Sequence, residues 1–246
     1  MKKLLFKLPK PVKDLLQRAR NVMRAIPYYG KNRYCPVCGK SSRCFRPFGR
    51  VQRENAQCVH CGALERHRLV WLFFQKKTDL FNGKVKKMLH VAPERCFESI
   101  FKKRLGSNYL TADLFNPRAM IKMDICDIQF PDNYFDVIYC SHVLEHVLDD
   151  KQAMREFFRV LKTNGWAILN VPISRKKTFE DPSIVEPKER QKAFGLKSHV
   201  RRYGPDYADR LRDSGFTVKI IKADNLASSD EAVKMGLTGE IYYCTK

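Results

Sequence analysis

The chain has 246 residues, a formal net charge of +21 and a hydrophobic fraction of 44%. That fraction can supply a full core, so the composition argues against a wholly disordered chain. No apolar run approaches the roughly 20 residues that span a bilayer. The opening MKKLLFKLPK resembles a signal peptide only briefly, because Lys7, Pro9 and Lys10 interrupt its apolar segment. We therefore expect a cytoplasmic protein.

The positive charge is concentrated in the amino-terminal third. Residues 1–87 contain 22 Lys and Arg against 4 Asp and Glu, a net charge of +18, whereas residues 88–246 contain 25 against 22, a net charge of +3. Such a field attracts nucleic acid, anionic lipid or a phosphorylated substrate. The alternative is a solvated basic surface without a ligand, and the charge alone does not select a partner.

Residues 1–30 are predicted to hold a basic amphipathic helix over 10–26. Apolar residues recur there at helical spacing, and Lys and Arg occupy most of the remaining surface. Three roles stay open for this helix: peripheral contact of residues 1–26 with the anionic inner membrane face, a grip on nucleic acid, or packing against the protein body.

Four cysteines form two C-x2-C pairs, and a glycine follows each pair. Cys35 and Cys38 are separated by 19 residues from Cys58 and Cys61, which lies within the spacing of four-cysteine Zn²⁺ sites. A redox dithiol is the alternative, but two pairs favour a metal over one reactive C-x-x-C. The pattern predicts a zinc ribbon over 31–63, followed over 64–85 by a connecting helix that begins near Ala63 and runs to about Lys77.

From residue 86 to 246, strand and helix patterns alternate. The predicted strands are 87–92, 109–113, 121–125, 134–140, 166–171, 216–222 and 240–244, and the predicted helices are 94–105, 143–161 and 204–214. This order predicts an α/β domain with a doubly wound, mainly parallel sheet and helices on both faces. Ligands bind such sheets at the carboxyl ends of the strands.

The segment from Asp132 to Val171 carries the most information. It contains D-N-x-F-D-V-I-x-x-x-x-V-L-E-H-V and then R-E-F-x-R-V-L-K-x-x-G. This pattern resembles the class I S-adenosylmethionine-dependent methyltransferases, and within them the type 11 group. The resemblance implies a Rossmann-like methyltransferase fold of seven strands with an antiparallel closing strand, and S-adenosyl-L-methionine as cofactor. It leaves the methyl acceptor open.

The turn after the first strand of this domain lacks the expected glycines and reads Ala92-Pro93-Glu94. A dinucleotide pyrophosphate needs close backbone approach through glycine, so the turn argues against an NAD enzyme. S-adenosyl-L-methionine has no phosphate and tolerates a bulkier turn. Glu94 is expected either to accept a hydrogen bond from the cofactor's ammonium group or to act as a helix-start carboxylate.

Further cofactor contacts are expected at the next two strand ends. Asp113 is placed to accept hydrogen bonds from both ribose hydroxyls, with a helix cap as the alternative. The resemblance implies that Asp124 accepts from the adenine amino group and that Ile125 packs on the ring. Asp127 competes with Asp124, since either can cap the following turn.

The fourth strand of the domain ends in Cys140-Ser141-His142, which should border the cofactor sulfonium and the acceptor. Cys140 is therefore a cofactor-site candidate, although its apolar surroundings also suit a core thiol. His142 is either a general base or a hydrogen-bonding wall residue. Glu145 and His146 are expected to be structural.

The acceptor is expected to bind beside a polar insertion that ends at His199, Arg201, Arg202 and Tyr203. An imidazole and two guanidiniums next to an aromatic ring suit a phosphate or carboxylate, and His199 is a second catalytic candidate. The alternative is a surface loop whose arginines pair with nearby carboxylates.

The cysteine pairs, the E-R-H-R segment after them, the A-P-E turn and the H-V-R-x-Y-G loop together resemble bacterial methyltransferases of cell-surface glycan assembly. This resemblance implies that the methyl acceptor is a small molecule or a glycan, namely a sugar or a lipid-linked glycan intermediate. An RNA methyltransferase and a non-catalytic zinc-ribbon adaptor remain the alternatives. The oligomeric state is not predicted.

Overall fold

The computed structural model describes Val12 and residues 26–246. Of the helix expected over 10–26, only positions 12 and 26 are among the described residues. The membrane or nucleic-acid contact expected of this helix therefore lies outside the described part of the chain. No helix in the described part is long and apolar enough to cross a membrane.

The described chain forms two compact units. The first comprises residues up to Lys77 together with Ala223–Gly239, and the second comprises Thr78–Lys222 with Glu240–Lys246. The sequence pattern assigned 223–239 to the domain spanning 86–246, but the structure joins this segment to the first unit. Its helix Ser229–Met235 is closed by a capping box between Ser228 and Glu231.

The first unit contains two short hairpins and a helix. Strand β1 (Arg33–Cys35) pairs with β2 (Lys40–Ser42), and β3 (Arg46–Phe48) pairs with β4 (Arg53–Gln57). Helix α1 (Glu65–Lys77) follows. The helix expected from near Ala63 to about Lys77 is thus confirmed, and the rest of the connecting segment 64–85 includes a turn at Asn82-Gly83, where Gly83 adopts a φ of 87°.

The second unit is built on a seven-stranded sheet in the order β12-β13-β9-β8-β5-β6-β7. Strand β13 is antiparallel to both of its neighbours, and the other adjacent strands are parallel. A separate antiparallel pair lies in the insertion after β9. The strands are β5 (Met88–Val91), β6 (Tyr109–Asp113), β7 (Ile121–Lys122), β8 (Phe135–Ser141), β9 (Leu161–Asn170), the separate pair β10 (Phe179–Glu180) and β11 (Arg201–Arg202), β12 (Thr217–Ile221) and β13 (Ile241–Thr245).

Central strands β5 and β8 are buried on both faces, as their near-continuous apolar sequences require. The helices of the unit are α2 (Arg95–Leu105), α3 (Asp150–Val160), α4 (Pro187–Phe194) and α5 (Tyr207–Asp213). From β5 the chain passes to β6 on one side and later returns to β8 on the other, so the strand order reverses between β5 and β8. This reversal is the position where open α/β sheets form a ligand crevice.

The helix predicted over 143–161 is divided in the structure. A short 3-10 turn covers Leu144–His146, and α3 begins only at Asp150, where the Asp149 carboxylate accepts a hydrogen bond from Gln152 N at 2.8 Å. The helix ends at Val160, and β9 starts at the next residue rather than at 166. The division separates the Leu144–His146 turn from α3 and leaves it free to contact the later insertion.

Candidate functional sites

The carboxyl ends of β5, β6, β7 and β8 meet at one edge of the sheet, since these strands are parallel. The sequence-predicted cofactor residues follow these four strands and are therefore brought to this edge. The insertion after β9 reaches the same side, because Val200 N donates to the Glu145 carbonyl at 2.9 Å.

The first turn is tight despite its lack of glycine. Ala92 adopts a φ of 49°, a left-handed conformation that residues with a side chain seldom take. Pro93 is buried beside it. Glu94 is the N-cap residue of α2, but its side chain makes no cap hydrogen bond to that helix.

The Glu94 carboxylate instead joins a buried polar chain beneath the turn. One oxygen lies 2.6 Å from His90 Nε2, and the other accepts from the Tyr139 hydroxyl at 3.0 Å. His90 is fully buried and its Nδ1 lies 2.8 Å from the Tyr109 hydroxyl. Sequence reasoning missed His90, whose only signal is a titratable residue inside an otherwise apolar strand.

Asp113 is held at the end of β6 by its own turn. Its Oδ1 accepts hydrogen bonds from Phe115 N and Asn116 N, both at 2.8 Å. These two bonds fix the orientation of the carboxylate and leave Oδ2 for a ligand. Asp113 is half-buried, which suits a site that is open to a ligand on one side.

Asp124 is exposed, and its Oδ1 accepts from Cys126 N at 2.9 Å in a similar turn. Asp127 is exposed as well and receives a hydrogen bond from the Gln129 side chain. Ile125 is only 5% exposed and belongs to the hydrophobic core. Its side chain already has apolar neighbours, so little of its surface is left for an adenine ring.

The end of β8 differs from the sequence expectation at Cys140. Cys140 is 1% exposed and lies within the core, and burial raises the pKa of its thiol well above the ordinary value. The side chain of Cys140 is therefore a core thiol and is not accessible to a cofactor. Ser141 Oγ is also buried, but no residue of the described chain gives it a hydrogen bond, which marks a place for a polar ligand.

His142 follows in a left-handed conformation with a φ of 58°, and its backbone N donates to the Asn170 carbonyl at 2.8 Å. Its Nδ1 lies 3.4 Å from Glu145 Oε1, and its side chain is 31% exposed. The imidazole thus borders the edge of the sheet and keeps access to solvent.

The structure brings His199 to the same place. Its ring stacks edge-on against His146, with 4.6 Å between the ring centroids. One potential ligand atom from each of Glu145, His146 and His199 lies within 4.8 Å of the others. Burial lowers the pKa of His199, and the neighbouring His146 adds to the lowering. The two histidines predicted to be catalytic therefore flank one buried carboxylate.

Arg201 is not available to an acceptor, because it is 3% exposed and four of its five guanidinium N–H groups donate to protein oxygens. Its guanidinium donates to Glu180 Oε2 at 2.8 Å and to the Leu144 and Leu148 carbonyls at 2.9 and 2.7 Å, and also to the Val147 carbonyl. Its role is to fasten the insertion to the turn after β8.

Tyr203 is fully buried, and its hydroxyl donates to Asp150 Oδ2 at 2.6 Å. Burial and the adjacent Asp150 raise its pKa well above the ordinary value. Of the predicted acceptor-binding pair Arg202 and Tyr203, only Arg202 remains half-buried and near the surface, where it donates to the Ser174 hydroxyl at 3.2 Å.

An open pocket of about 540 Å³ lies beside Arg202 in the insertion. Three consecutive exposed cations line it, and the Arg175 guanidinium lies 5.1 Å from the centroid of the Phe179 ring. The lining residues are Ser174, Arg175, Lys176, Lys177, Thr178 and Phe179. Its charge and its single aromatic wall suit an anionic ligand.

The first unit gathers its four paired cysteines into one cluster. Cys35 Sγ lies 3.7 Å from Cys61 Sγ, and Cys38 Sγ lies 3.8 Å from Cys58 Sγ. These separations are far longer than the ~2.05 Å of a disulfide. Tetrahedral Zn–S bonds of ~2.3 Å place sulfur atoms roughly 3.8 Å apart, so the geometry fits a four-thiolate zinc site.

A buried guanidinium lies close to this cluster. Arg68 is fully buried and donates to the carbonyls of Ala56, Ala63, Met235 and Gly236. Its own carboxylate neighbour, Glu65, pairs with Arg53 at 2.9 Å, and no carboxylate in the described chain forms an ion pair with Arg68. Glu65 and Arg68 of the E-R-H-R segment thus bind other parts of the first unit.

Residues 86–169 match the model of a family described as a methyltransferase domain. The ubiquinone/menaquinone biosynthesis C-methyltransferase UbiE of Vibrio campbellii is 51% identical over 39 residues, 16% of this chain and 15% of that protein. Phosphoethanolamine N-methyltransferase 1 of Arabidopsis thaliana is 37% identical over 89 residues, 36% of this chain and 16% of that protein. The chain thus spans only about 15% of the length of these curated relatives.

Among solved structures, the cyclase SpnF superposes with a TM-score of 0.53 at 15% identity, over 86% of this chain and 91% of that chain. An S-adenosylmethionine-dependent methyltransferase from Mesorhizobium loti gives a TM-score of 0.49 at 13% identity, over 72% of this chain and 97% of that chain. Likeness at such identities concerns the fold. The sheet has the topology of the Rossmann-like methyltransferase fold, and the methyltransferase-domain match falls on its strands β5–β9.

Proposed function

We propose that the protein is an S-adenosyl-L-methionine-dependent methyltransferase. The observation that carries the proposal is the carboxylate of Asp113, oriented by two backbone N–H groups at the strand end beside the sheet's switch point. One of its oxygens is left to accept from the two ribose hydroxyls of the cofactor. The match of residues 86–169 to a methyltransferase domain supports the same assignment.

The remaining cofactor contacts follow the edge of the sheet. The turn Ala92–Glu94 borders the methionine part, and its tight left-handed backbone at Ala92 replaces the missing glycine. Asp124 is exposed at the end of β7, where its free oxygen can accept from the adenine amino group. Ile125 is buried, so only a small part of its side chain can contact the adenine ring.

S-adenosyl-L-methionine supplies a methyl group on positively charged sulfur, so the protein mainly aligns two reactants and excludes water. Alignment of this kind is worth roughly 7–11 kcal/mol. In such a transfer an acceptor lone pair would bond to the methyl carbon, and the electron pair of the broken C–S bond would stay on the sulfur of the bound cofactor. His142 borders this edge with an accessible imidazole and is placed to take the proton that the acceptor loses.

For the acceptor we propose a sugar or cell-surface glycan intermediate that carries a phosphate or carboxylate. The support is the basic pocket at Ser174–Phe179, which lies in the insertion after β9 and next to Arg202. The cations that line this pocket form no ion pair with a carboxylate of the described chain, so they remain available to an anion. Arg201 and Tyr203 serve this pocket only by holding its loop in place.

The test is transfer of labelled methyl from S-adenosyl-L-methionine into a cell extract that is then separated into RNA, protein, lipid-linked glycan and small-molecule fractions. We expect label in the lipid-linked glycan or small-molecule fraction. The variant Lys176→Glu should reduce this labelling, whereas Lys188→Glu, an exposed lysine on α4, should not.

RNA methylation is the second candidate, and the charge of +18 on residues 1–87 favours it. Binding driven by phosphate contacts weakens steeply as salt increases. Label confined to RNA, together with salt-sensitive RNA binding, would replace the glycan proposal. No label in any fraction and no stabilisation by S-adenosylhomocysteine would leave the non-catalytic adaptor.

We also propose that Cys35, Cys38, Cys58 and Cys61 hold a structural Zn²⁺. A four-thiolate zinc centre carries a formal charge of −2, which would offset the buried Arg68 guanidinium that has no carboxylate partner. Elemental analysis of purified protein should find zinc, and Cys38→Ser should lower the content by one ion per chain. Cys44→Ser is the matched control, since Cys44 lies in the same unit outside the cluster.

A further inference from the structure

A second group of possible metal ligands lies in the second unit, at the carboxyl end of β8. Glu145, His146 and His199 each offer one ligand atom, and these atoms lie within 4.8 Å of one another. Donor atoms around an ion with ligand distances of ~2.0–2.2 Å lie roughly 3–4 Å apart. Ion binding therefore requires the ligand atoms to move closer together, and the exposed side chain of His146 is the one with room to rotate.

Both imidazoles have a backbone carbonyl oxygen beside Nδ1. His146 Nδ1 lies 3.2 Å from the Ser198 carbonyl oxygen, and His199 Nδ1 lies 3.3 Å from the Phe194 carbonyl oxygen. A carbonyl oxygen can only accept, so each Nδ1 carries the proton and each Nε2 keeps its lone pair. A backbone carbonyl behind the ring is the common second partner of a metal-binding histidine.

The carboxylate supplies an independent sign of a missing partner. Glu145 is 2% exposed, and its Oε2 is buried without any hydrogen-bond partner in the described part of the chain. Its Oε1 faces His142 Nδ1 at 3.4 Å. An unpaired buried carboxylate oxygen is costly, and a cation beside it would remove that cost.

The backbone around the group is fixed before any ion arrives. Val200 N donates to the Glu145 carbonyl at 2.9 Å, which ties the loop carrying His199 to the turn carrying Glu145 and His146. Arg201 fastens the same turn from the next position through the Leu144 carbonyl at 2.9 Å. His199 lies more than fifty residues after Glu145 and His146 in the sequence, so sequence spacing alone does not reveal the group.

We propose that Glu145, His146 and His199 bind one divalent transition-metal ion, with His142 at the open side. Two imidazoles and one carboxylate suit Zn²⁺, Fe²⁺, Mn²⁺ or Co²⁺ rather than Mg²⁺ or Ca²⁺, which take oxygen ligands. Three protein ligands leave coordination positions open. The metal site stands on its own geometry, but its use to hold an acceptor oxygen near His142 rests on the proposed methyl transfer.

The test must separate this site from the cysteine cluster. Full-length protein loaded with one Zn²⁺ per chain, which the four-thiolate cluster takes up first, is dialysed against Co²⁺, and both metals are then counted in the protein by elemental analysis. We expect one Co²⁺ per chain with the zinc content unchanged, and a visible spectrum that lacks the intense sulfur-to-cobalt bands of a thiolate site. Since no methyl transfer is measured, this result is independent of the proposed activity.

His146→Ala is the main variant, because His146 is exposed and its removal leaves the fold intact. It should weaken Co²⁺ binding roughly tenfold or more, and His199→Ala should do the same. His60→Ala is the control, since His60 belongs to the first unit and not to the group. Absence of bound Co²⁺, Co²⁺ that only replaces zinc, or binding unchanged in both ligand variants would overturn the proposal.

Discussion

The variant Arg201→Met tests whether Arg201 is part of the framework or an acceptor ligand. The substitution removes the guanidinium that donates to Glu180 at 2.8 Å and to the Leu144 and Leu148 carbonyls. The carbonyls lose their donor, and the largely buried Asp150 keeps only Arg210 as a charged partner. Removal of one member of such a buried network costs about 3–5 kcal/mol.

For a unit of this size, each kcal/mol lowers the melting temperature by about 2–4 °C, so Arg201→Met should melt roughly 6–20 °C below the wild type. Arg202→Met is the matched control. Its guanidinium is half-buried and contacts only Ser174, so we expect a loss of about 1 kcal/mol or less.

Urea unfolding followed by circular dichroism measures both variants under identical conditions. The reasoning requires a large loss of stability in Arg201→Met and a small one in Arg202→Met. If Arg201→Met is as stable as the control yet loses methyl transfer to the acceptor, the framework role is refuted and the acceptor role predicted from sequence is restored.

Three further predictions concern the cysteine cluster, an ion pair and a glycine. Cys58→Ser should unfold the first unit, since small zinc modules owe about 10–16 kcal/mol to the metal, and limited proteolysis should then cut within residues 26–64. Burial would raise the pKa of Glu180, but Arg210 and Arg201 outweigh it and lower the pKa to about 2. The stabilisation from the charged Glu180 carboxylate is present above pH ~4.5 and is lost as the pH falls toward 2. The difference in melting temperature between wild type and Glu180→Gln should therefore shrink from pH 6 to pH 2.5. A constant difference would contradict the proposed ion pairs of Glu180 with Arg210 and Arg201. Gly215 has a φ of 103°, and a Cβ there would lie 2.9 Å from the Phe158 ring. The variant Gly215→Ala should therefore lower the free energy of unfolding by roughly 1–3 kcal/mol, measured by urea titration. An unchanged urea midpoint would contradict this close packing.

The sequence predicted the sheet well because its strands have strong local signals. The central strands are apolar runs bounded by turns, and the resemblance to class I methyltransferases implied the antiparallel closing strand that β13 provides. The helix over 143–161 was less accurate, since apolar residues at helical spacing also occur in the Leu144–His146 turn. The signal that divides the two is the capping residue Asp149.

Two further helices could have been predicted from the residues at their ends. Ser228 and Glu231 have the spacing of a capping box before the helix Ser229–Met235. Helix α4 starts with Pro187 at its first turn and ends at Gly195, the usual order of proline and glycine around a helix.

Site residues were harder to predict because their role depends on what lies beside them in space. Arg201 and Tyr203 have polar groups that suit a ligand, but Glu180 and Asp150 satisfy them from distant parts of the chain. Conversely, Glu145 and His146 become a possible ligand pair only when the loop of His199 folds onto them. The cysteine cluster was predictable because its ligand spacing is short and local.

Binding of S-adenosylhomocysteine, measured by isothermal titration calorimetry, tests the central claim most directly. The wild type should bind one molecule per chain, and Asp113→Ala should bind roughly 10–150-fold more weakly, because hydrogen bonds to a charged group contribute about 1.5–3 kcal/mol. Asp213→Ala, an exposed aspartate at the end of α5, should bind like the wild type. No binding by the wild type, or equal affinity in the Asp113 and Asp213 variants, would contradict the proposed cofactor site.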